Sequence, residues 1–193
     1  MANSTAGFGF QNIGVATGVT PSFGTHEYPI NYSYATTIGR GCLVDLGADG
    51  YLALSTPTST TWLGIFEGGY KTDTSLPQRH TEFQAYVYSA TAVSGSVYGY
   101  VNDDPNATYY GRTSGGPITF ASVGANVTFV PGTVNTATGQ STDLIDATVT
   151  TLNTAPFRIV SVNGPIGNDP ASSYNIIQVK QNASVLSNTT GQV

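Results

Sequence analysis

Gly41-Cys42-Leu43-Val44-Asp45-Leu46-Gly47-Ala48-Asp49-Gly50-Tyr51-Leu52-Ala53-Leu54-Ser55 decides the fold class. Two short apolar runs, Cys42 to Leu46 and Tyr51 to Ser55, flank Gly47-Ala48-Asp49-Gly50. An Asp-Gly step supplies the positive-φ conformation of a tight turn, and short alternating runs on either side of it read as a β-hairpin.

The same reading extends outward. Thr61 to Glu67 is predicted as the next strand, ended by Gly68-Gly69, and residues 70–81 as a polar loop holding Lys71, Asp73, Pro77, Arg79 and His80. Glu82 to Ser89 alternates: Phe83, Ala85 and Val87 share one face, and Glu82, Gln84, Tyr86 and Tyr88 the other. Large groups on both faces predict a strand covered on both sides. Ser96 to Val101, Asn126 to Val130, Asp143 to Thr151, Pro156 to Val162 and Tyr174 to Gln181 complete the strand candidates. Thr108 to Arg112 and Ile118 to Phe120 are weaker ones, and in the second Thr119 alternatively caps a single helical turn closed by Gly124. Turns are placed at Asn102 to Asn106, in the surface loop 131–142 and at Asn163 to Ser173, and the tail after Asn182 is read as frayed. Many short strands at close spacing predict an all-β protein, a compact antiparallel β-barrel or sandwich with Gly/Asn/Pro-rich loops.

The composition agrees. The chain has 193 residues, enough for one domain or a domain plus an arm. Charged residues at 9% exclude a coiled coil and a charge-rich disordered tail. The net charge is −5 with only six Lys and Arg, scattered along the chain, so nucleic acid and anionic membranes are poor partners. No apolar run approaches the roughly 18 residues of a membrane span. Met1-Ala2-Asn3-Ser4-Thr5 lacks the basic and apolar regions of a secretory signal.

Residues 1–35 read differently from 36–193. They hold Gly7, Gly9, Gly14, Gly18, Pro21, Gly24 and Pro29 with isolated aromatics and no strand or helix period. Such a segment cannot fold alone. It is predicted as an extended N-terminal arm lying on another surface, with Phe8, Phe10, Phe23 and Tyr28 as its contacts, beside a β domain spanning 36–193.

No catalytic, cofactor or metal set emerges. Cys42 is a lone cysteine in an apolar run and reads as a buried thiol. His26 and His80 are far apart, and one Cys gives no zinc spacing. Thr113-Ser114-Gly115-Gly116-Pro117 is similar to the Ser-Gly-Gly-Pro around the nucleophile of trypsin-like proteases, and His80, Asp103 or Asp104, and Ser114 run in the right order. All lie between 80 and 114, too little chain for the two barrels that carry that triad. Asp103-Asp104-Pro105-Asn106 lacks the alternate carboxylates of a calcium loop and reads as an Asx turn. Six Asn-X-Ser/Thr triplets occur in a chain rich in Ser and Thr, and without a signal they are expected to be unmodified. Tyr98, Tyr100, Tyr109 and Tyr110 cluster around the 102–106 turn, which suits either strand packing or a carbohydrate or protein contact.

A set of landmarks runs through the chain in order. Met1-Ala2-Asn3 leads to Gly7-Phe8, then Tyr28-Pro29-Ile30, Ile38-Gly39-Arg40-Gly41-Cys42-Leu43-Val44 and Leu63-Gly64-Ile65-Phe66. Tyr100-Val101-Asn102-Asp103-Asp104-Pro105-Asn106 and Val123-Gly124-Ala125-Asn126 follow. Gly139-Gln140-Ser141 leads to Asp143-Leu144, Pro156-Phe157-Arg158-Ile159 to Gly167-Asn168, and Val179-Lys180-Gln181-Asn182 closes the series. In order and spacing this resembles the capsid decoration, or cement, proteins of tailed bacteriophages. It departs from them at Gly41, where an acid is common, and over 70–81. The resemblance implies a structural virion protein, not an enzyme and without cofactors, made in the host cytoplasm. It implies binding to the major capsid protein on the outer surface of the icosahedral shell, commonly as a homotrimer. The alternative is a tail-associated or adhesin-type module that binds a glycan through the tyrosine-rich region 98–110.

Overall fold

The computed structural model describes residues 3–15, 24–73, 81–87 and 92–186. In chain order these form β1 (Gln11–Val15), β2 (His26–Pro29), β3 (Ile38–Gly39), β4 (Leu43–Leu46), β5 (Leu52–Leu54), β6 (Trp62–Asp73), β7 (Thr81–Gln84), β8 (Tyr86–Val87), β9 (Ala92–Asn102) and β10 (Ala107–Arg112). A 3-10 turn at Phe120–Ser122 precedes β11 (Asn126–Val130), β12 (Val134–Asn135), β13 (Gln140–Ser141), β14 (Leu144–Thr150), β15 (Phe157–Ser161) and β16 (Ile176–Gln181). The all-β class read from the sequence is the class observed.

The deciding hairpin forms where its turn residues place it. Strands β4 and β5 pair through Val44–Leu54, Asp45–Ala53 and Leu46–Leu52. The Gly47 amide donates to the Tyr51 carbonyl (2.9 Å) and the Gly50 amide to the Gly47 carbonyl (2.8 Å). Gly50 sits at φ +78°, a conformation an L side chain resists.

Two six-stranded antiparallel sheets carry the architecture. The first runs β1-β10-β16-β15-β11-β14; the second runs β2-β9-β6-β4-β5, with β7 also paired to β6. Each curls strongly. In the first, Thr113 just after β10 meets Ile145 of β14 in one parallel bridge; in the second, Ile30 just after β2 meets Leu52 of β5. Single bridges are not ladders, so no closed barrel forms among the described residues, and the arrangement is consistent with a sandwich.

Strands β4 and β6 form a wall between two cores. Leu43, Trp62 and Ile65 pack with Phe10, Tyr109, Phe129, Phe157 and Val179 on one side. Cys42, Val44, Leu63 and Phe66 pack with Ile30, Ile38, Leu52, Val97 and Val101 on the other. A register shift opposite Val44/Asp45 inserts Leu63 and resets the alternation, so that Trp62 and Ile65 face the same core. A strand buried on both faces needs apolar residues at successive positions. That is why Cys42-Leu43-Val44 and Trp62-Leu63 are continuous apolar runs.

Several sequence expectations are corrected. The strand predicted over 61–67 does not stop at Gly68-Gly69 but continues to Asp73. Its glycines are there for close approach: a Cβ on Gly69 would lie 2.3 Å from the Tyr98 carbonyl oxygen. The predicted strand 82–89 is broken at Ala85 into β7, paired with β6, and β8, paired with β3. The Ala85 carbonyl turns aside to accept from the Arg40 amide at 2.8 Å. The 131–142 loop contains the β12–β13 ribbon and is tied down by the Ser141 amide bonding the Arg40 carbonyl at 2.8 Å. The tail folds back as far as Val185, whose amide bonds the Trp62 carbonyl. At 118–124 a single 3-10 turn follows Thr119, as the helical alternative expected, but the Thr119 side chain makes no capping bond and the turn closes at Val123, whose amide bonds the Phe120 carbonyl, with Gly124 following at φ +90°.

The arm is the largest departure. Within 1–35, β1 pairs with β10 and β2 with β9. The described residues of this stretch are therefore edge strands of the two sheets, not an arm apart from a 36–193 domain. Pro29 is tolerated because β2 is an edge strand.

Candidate functional site

The four predicted contact residues separate. Phe10 is only 2% exposed and lies inside the first core, with its backbone amide bonded to the Gly41 carbonyl at 3.0 Å. It is a core residue, which removes it from any partner-facing role. Phe8 is half-buried, with the Arg112 guanidinium carbon 5.3 Å from its ring centroid. Tyr28 is half-buried and its hydroxyl donates to Asp103 Oδ2 at 2.6 Å. Phe23 lies outside the described residues.

The N-terminal residues settle on one end of the first sheet. Asn3 Nδ2 donates to the Asp169 carbonyl (2.9 Å), and the Asp169 amide donates to Asn3 Oδ1 (3.0 Å). Arg112 Nη1 donates to the carbonyls of Ser4 and Tyr174. Two further loops are fixed at this end by buried or half-buried asparagines. Asn175 accepts from the Ile118 amide at 3.1 Å and donates to its carbonyl at 2.8 Å. Asn168 does the same to Ile176, at 2.7 and 3.1 Å. These pinned loops carry exposed apolar side chains: Phe120 is 62% exposed, Val123 45%, and Ile166 fully exposed. Sequence reading missed them: Phe120 stood at the end of a weak strand candidate, and Ile166 fell within the Asn163 to Ser173 loop without being singled out. The available signal was an isoleucine set between Pro165 and Gly167, where no strand could bury it.

No family model, curated protein or solved structure matches this chain. What the site can do is argued from its own groups. The polar constellations named from the sequence have structural roles. Asp103 accepts from the Tyr28 hydroxyl and faces His26 Nδ1 at 2.8 and 2.9 Å, which ties β2 to the 102–106 turn. Asp104 Oδ1 accepts from the Asn106 amide at 2.8 Å, the Asx turn expected there. Ser114 Oγ accepts from the Ala147 amide at 3.3 Å, and His80 lies outside the described residues. No group of three or more His, Cys, Asp or Glu among the described residues is placed to hold a metal ion. The Cys42 thiol is buried, and burial pushes it up to about 12, with the Asp143 charge adding to the shift. No helix of the described residues is long and apolar enough to cross a membrane.

The tyrosine cluster divides. Tyr109 is fully buried in the first core, its hydroxyl donating to Asn102 Oδ1 at 3.1 Å. Tyr98 and Tyr100 instead stand on the outer face of the second sheet against Tyr70, with centroids 5.3 and 6.0 Å apart, and Tyr70 donates to Glu27 Oε2 at 3.1 Å. Rings stacked on one another present mainly edges and hydroxyls to solvent.

Proposed function

We propose that this chain is a structural virion protein that binds the outer surface of an icosahedral phage shell and reinforces it. Its partners are the major capsid protein and further copies of itself, commonly as a homotrimer. The observation that carries the reading is the ordered series of motifs from Gly7-Phe8 to Asn182 that resembles the decoration family. Several of the motif residues serve this chain's own packing: Phe157 and Ile159 in the first core, Ile38 and Val101 in the second, and Gln181, whose Nε2 donates to the Leu63 carbonyl at 2.7 Å.

The geometry supports a contact role in a second way. Exposed apolar side chains on loops with pinned backbones lose little further conformational freedom on docking. Phe120, Val123 and Ile166 fit that description better than the glycine-rich stretch does, since Phe10 is committed to the core. A trimer would present three such ends to a symmetric lattice point, and weak contacts add through effective concentration. An acidic chain is also better tolerated outside a shell than against packaged DNA.

Quantitative mass spectrometry of particles containing this chain tests the proposal. A copy ratio to the major shell protein within a few-fold of one is the expected result. A handful of copies per particle would replace it with the tail-module reading, and absence from particles would reject it.

A further inference from the structure

A polar cleft of about 240 Å3 opens where β1 passes the turn before β4. It is lined by Phe8, Gln11, Asn12, Arg40, Glu67 and Gln140, drawn from four separate stretches of chain. We propose that this cleft binds one pyranose ring of a neutral saccharide.

The first argument is the shape of the polar groups. Gln11, Asn12 and Gln140 end in carboxamides, Arg40 in a guanidinium and Glu67 in a carboxylate. All are planar and offer paired donors or acceptors, the complement of adjacent sugar hydroxyls that both donate and accept. The Phe8 ring supplies an apolar wall for the C–H face of a sugar.

The second argument is charge. Arg40 Nε donates to Glu67 Oε2 at 3.1 Å, so the two formal charges in the cleft offset one another. An anion entering it would meet Glu67, and a cation would meet Arg40. A neutral ligand meets neither penalty, and the pair still offers the other guanidinium nitrogens and the second carboxylate oxygen.

The third argument is an orphan. Asn12 Nδ2 is buried and has no hydrogen-bond partner among the described residues. Its orientation is fixed, because Oδ1 accepts from the Gly14 amide at 2.9 Å, and only the oxygen can do so. A buried donor left unsatisfied is costly, and none of the described residues supplies its acceptor. A ligand hydroxyl or ring oxygen can supply one once the side chains that close Asn12 Nδ2 off from solvent move aside. The volume lies below the range of about 300–1,000 Å3 that suits drug-sized ligands, which points to one ring and not an oligosaccharide.

The inference is independent of the virion reading: a subunit can coat a shell without binding sugar, and can bind sugar without coating a shell. The test is a titration of the 15N-labelled full chain with the methyl glycosides of glucose, galactose, mannose and N-acetylglucosamine. At least one should shift the amides of Gln11, Asn12, Arg40, Gly41 and Gln140 and the Asn12 side-chain NH2, with a dissociation constant of order millimolar. Asn12→Ala, and separately Gln140→Ala in case the first variant disturbs β1, should weaken that binding about tenfold while the thermal midpoint holds. No shift at about 100 mM of any of the four overturns the proposal. So do shifts centred on Tyr98 and Tyr100, undiminished binding in both variants, or an Asn12 NH2 that reports only a bound water. Protection of these amides by a protein partner, with no response to sugar, would reassign the cleft to that partner.

Discussion

The ring of Phe10 lies 4.5 Å from that of Phe157, tilted by 32°, inside the first core. A residue from a glycine-rich stretch near the N-terminus thus packs on the first residue of β15. Phe10→Ala should lower stability by about 3–5 kcal/mol, the usual loss for a buried phenylalanine. Deleting residues 2–24 should unfold the first sheet, not free it of an appendage. Urea unfolding followed by tyrosine and tryptophan fluorescence measures both, and an unchanged midpoint would show that Phe10 is not packed as described.

Gly69 pairs with Gly99 across β6 and β9, where a Cβ on Gly69 would meet the Tyr98 carbonyl oxygen. Backbone cannot move aside as a side chain can. Gly69→Ala is expected to cost about 1–3 kcal/mol or more from overpacking. Gly116→Ala, whose Cβ would make an ordinary 3.6 Å contact with Ala147, should stay within about 0.5 kcal/mol of the parent. Equal thermal midpoints for the two variants would contradict the close approach of these strands.

Burial raises the carboxyl groups of Asp45, Glu67 and Asp143 above their ordinary values. The unfolded chain ionises them near pH 4, while the folded chain holds its protons longer, so each subtracts stability as pH rises through the mildly acidic range. Burial likewise raises the Tyr109 hydroxyl and the Cys42 thiol, so stability should fall again once the unfolded tyrosine and cysteine ionise, above about pH 8.5–10. With only six Lys and Arg to repel one another in acid, urea midpoints should be higher near pH 5 than near pH 8. The opposite order would show that other groups dominate.

A thiol buried and raised to about 12 is not a thiolate at neutral pH. Cys42 should resist iodoacetamide in the native protein and react at once in urea. Rapid labelling of the native chain, read by intact mass, would place this strand at the surface.

Phe120, Val123 and Ile166 contribute little to either core. Replacing all three with serine should shift the thermal midpoint little and should remove binding to expanded shells in a sedimentation assay. Retained binding would move the contact elsewhere on the protein.

The hairpin at 41–55 was legible because its turn and both strands are contiguous, so local chemistry determines it. The end of β6 was not, because Gly68 and Gly69 look like a terminator until Tyr98 and Gly99, about thirty residues on, are laid beside them. The edge strands β1 and β2 were hidden for a related reason. Their partners lie in β10 and β9, far along the chain, and strands of five and four residues are too short to show a period of their own. Phe8 and Tyr28 remained partly accessible, whereas Phe10 could be recognised as core only once Phe157 was placed against it. The cleft was unreadable in principle, since Asn12, Arg40, Glu67 and Gln140 meet only after both sheets have formed.

The shared wall of β4 and β6 has a kinetic consequence. Its residues are made early, yet one of its faces stays open until β16, the last strand of the first sheet, arrives. Neither half can consolidate alone without leaving Trp62 or Phe66 in water, so the chain should fold late and in one step, with no stable half-formed species. During synthesis that apolar sheet would wait, uncovered, for the C-terminal strands, and a chain truncated before Ile176 should be a substrate for chaperones and proteases instead of a smaller working subunit.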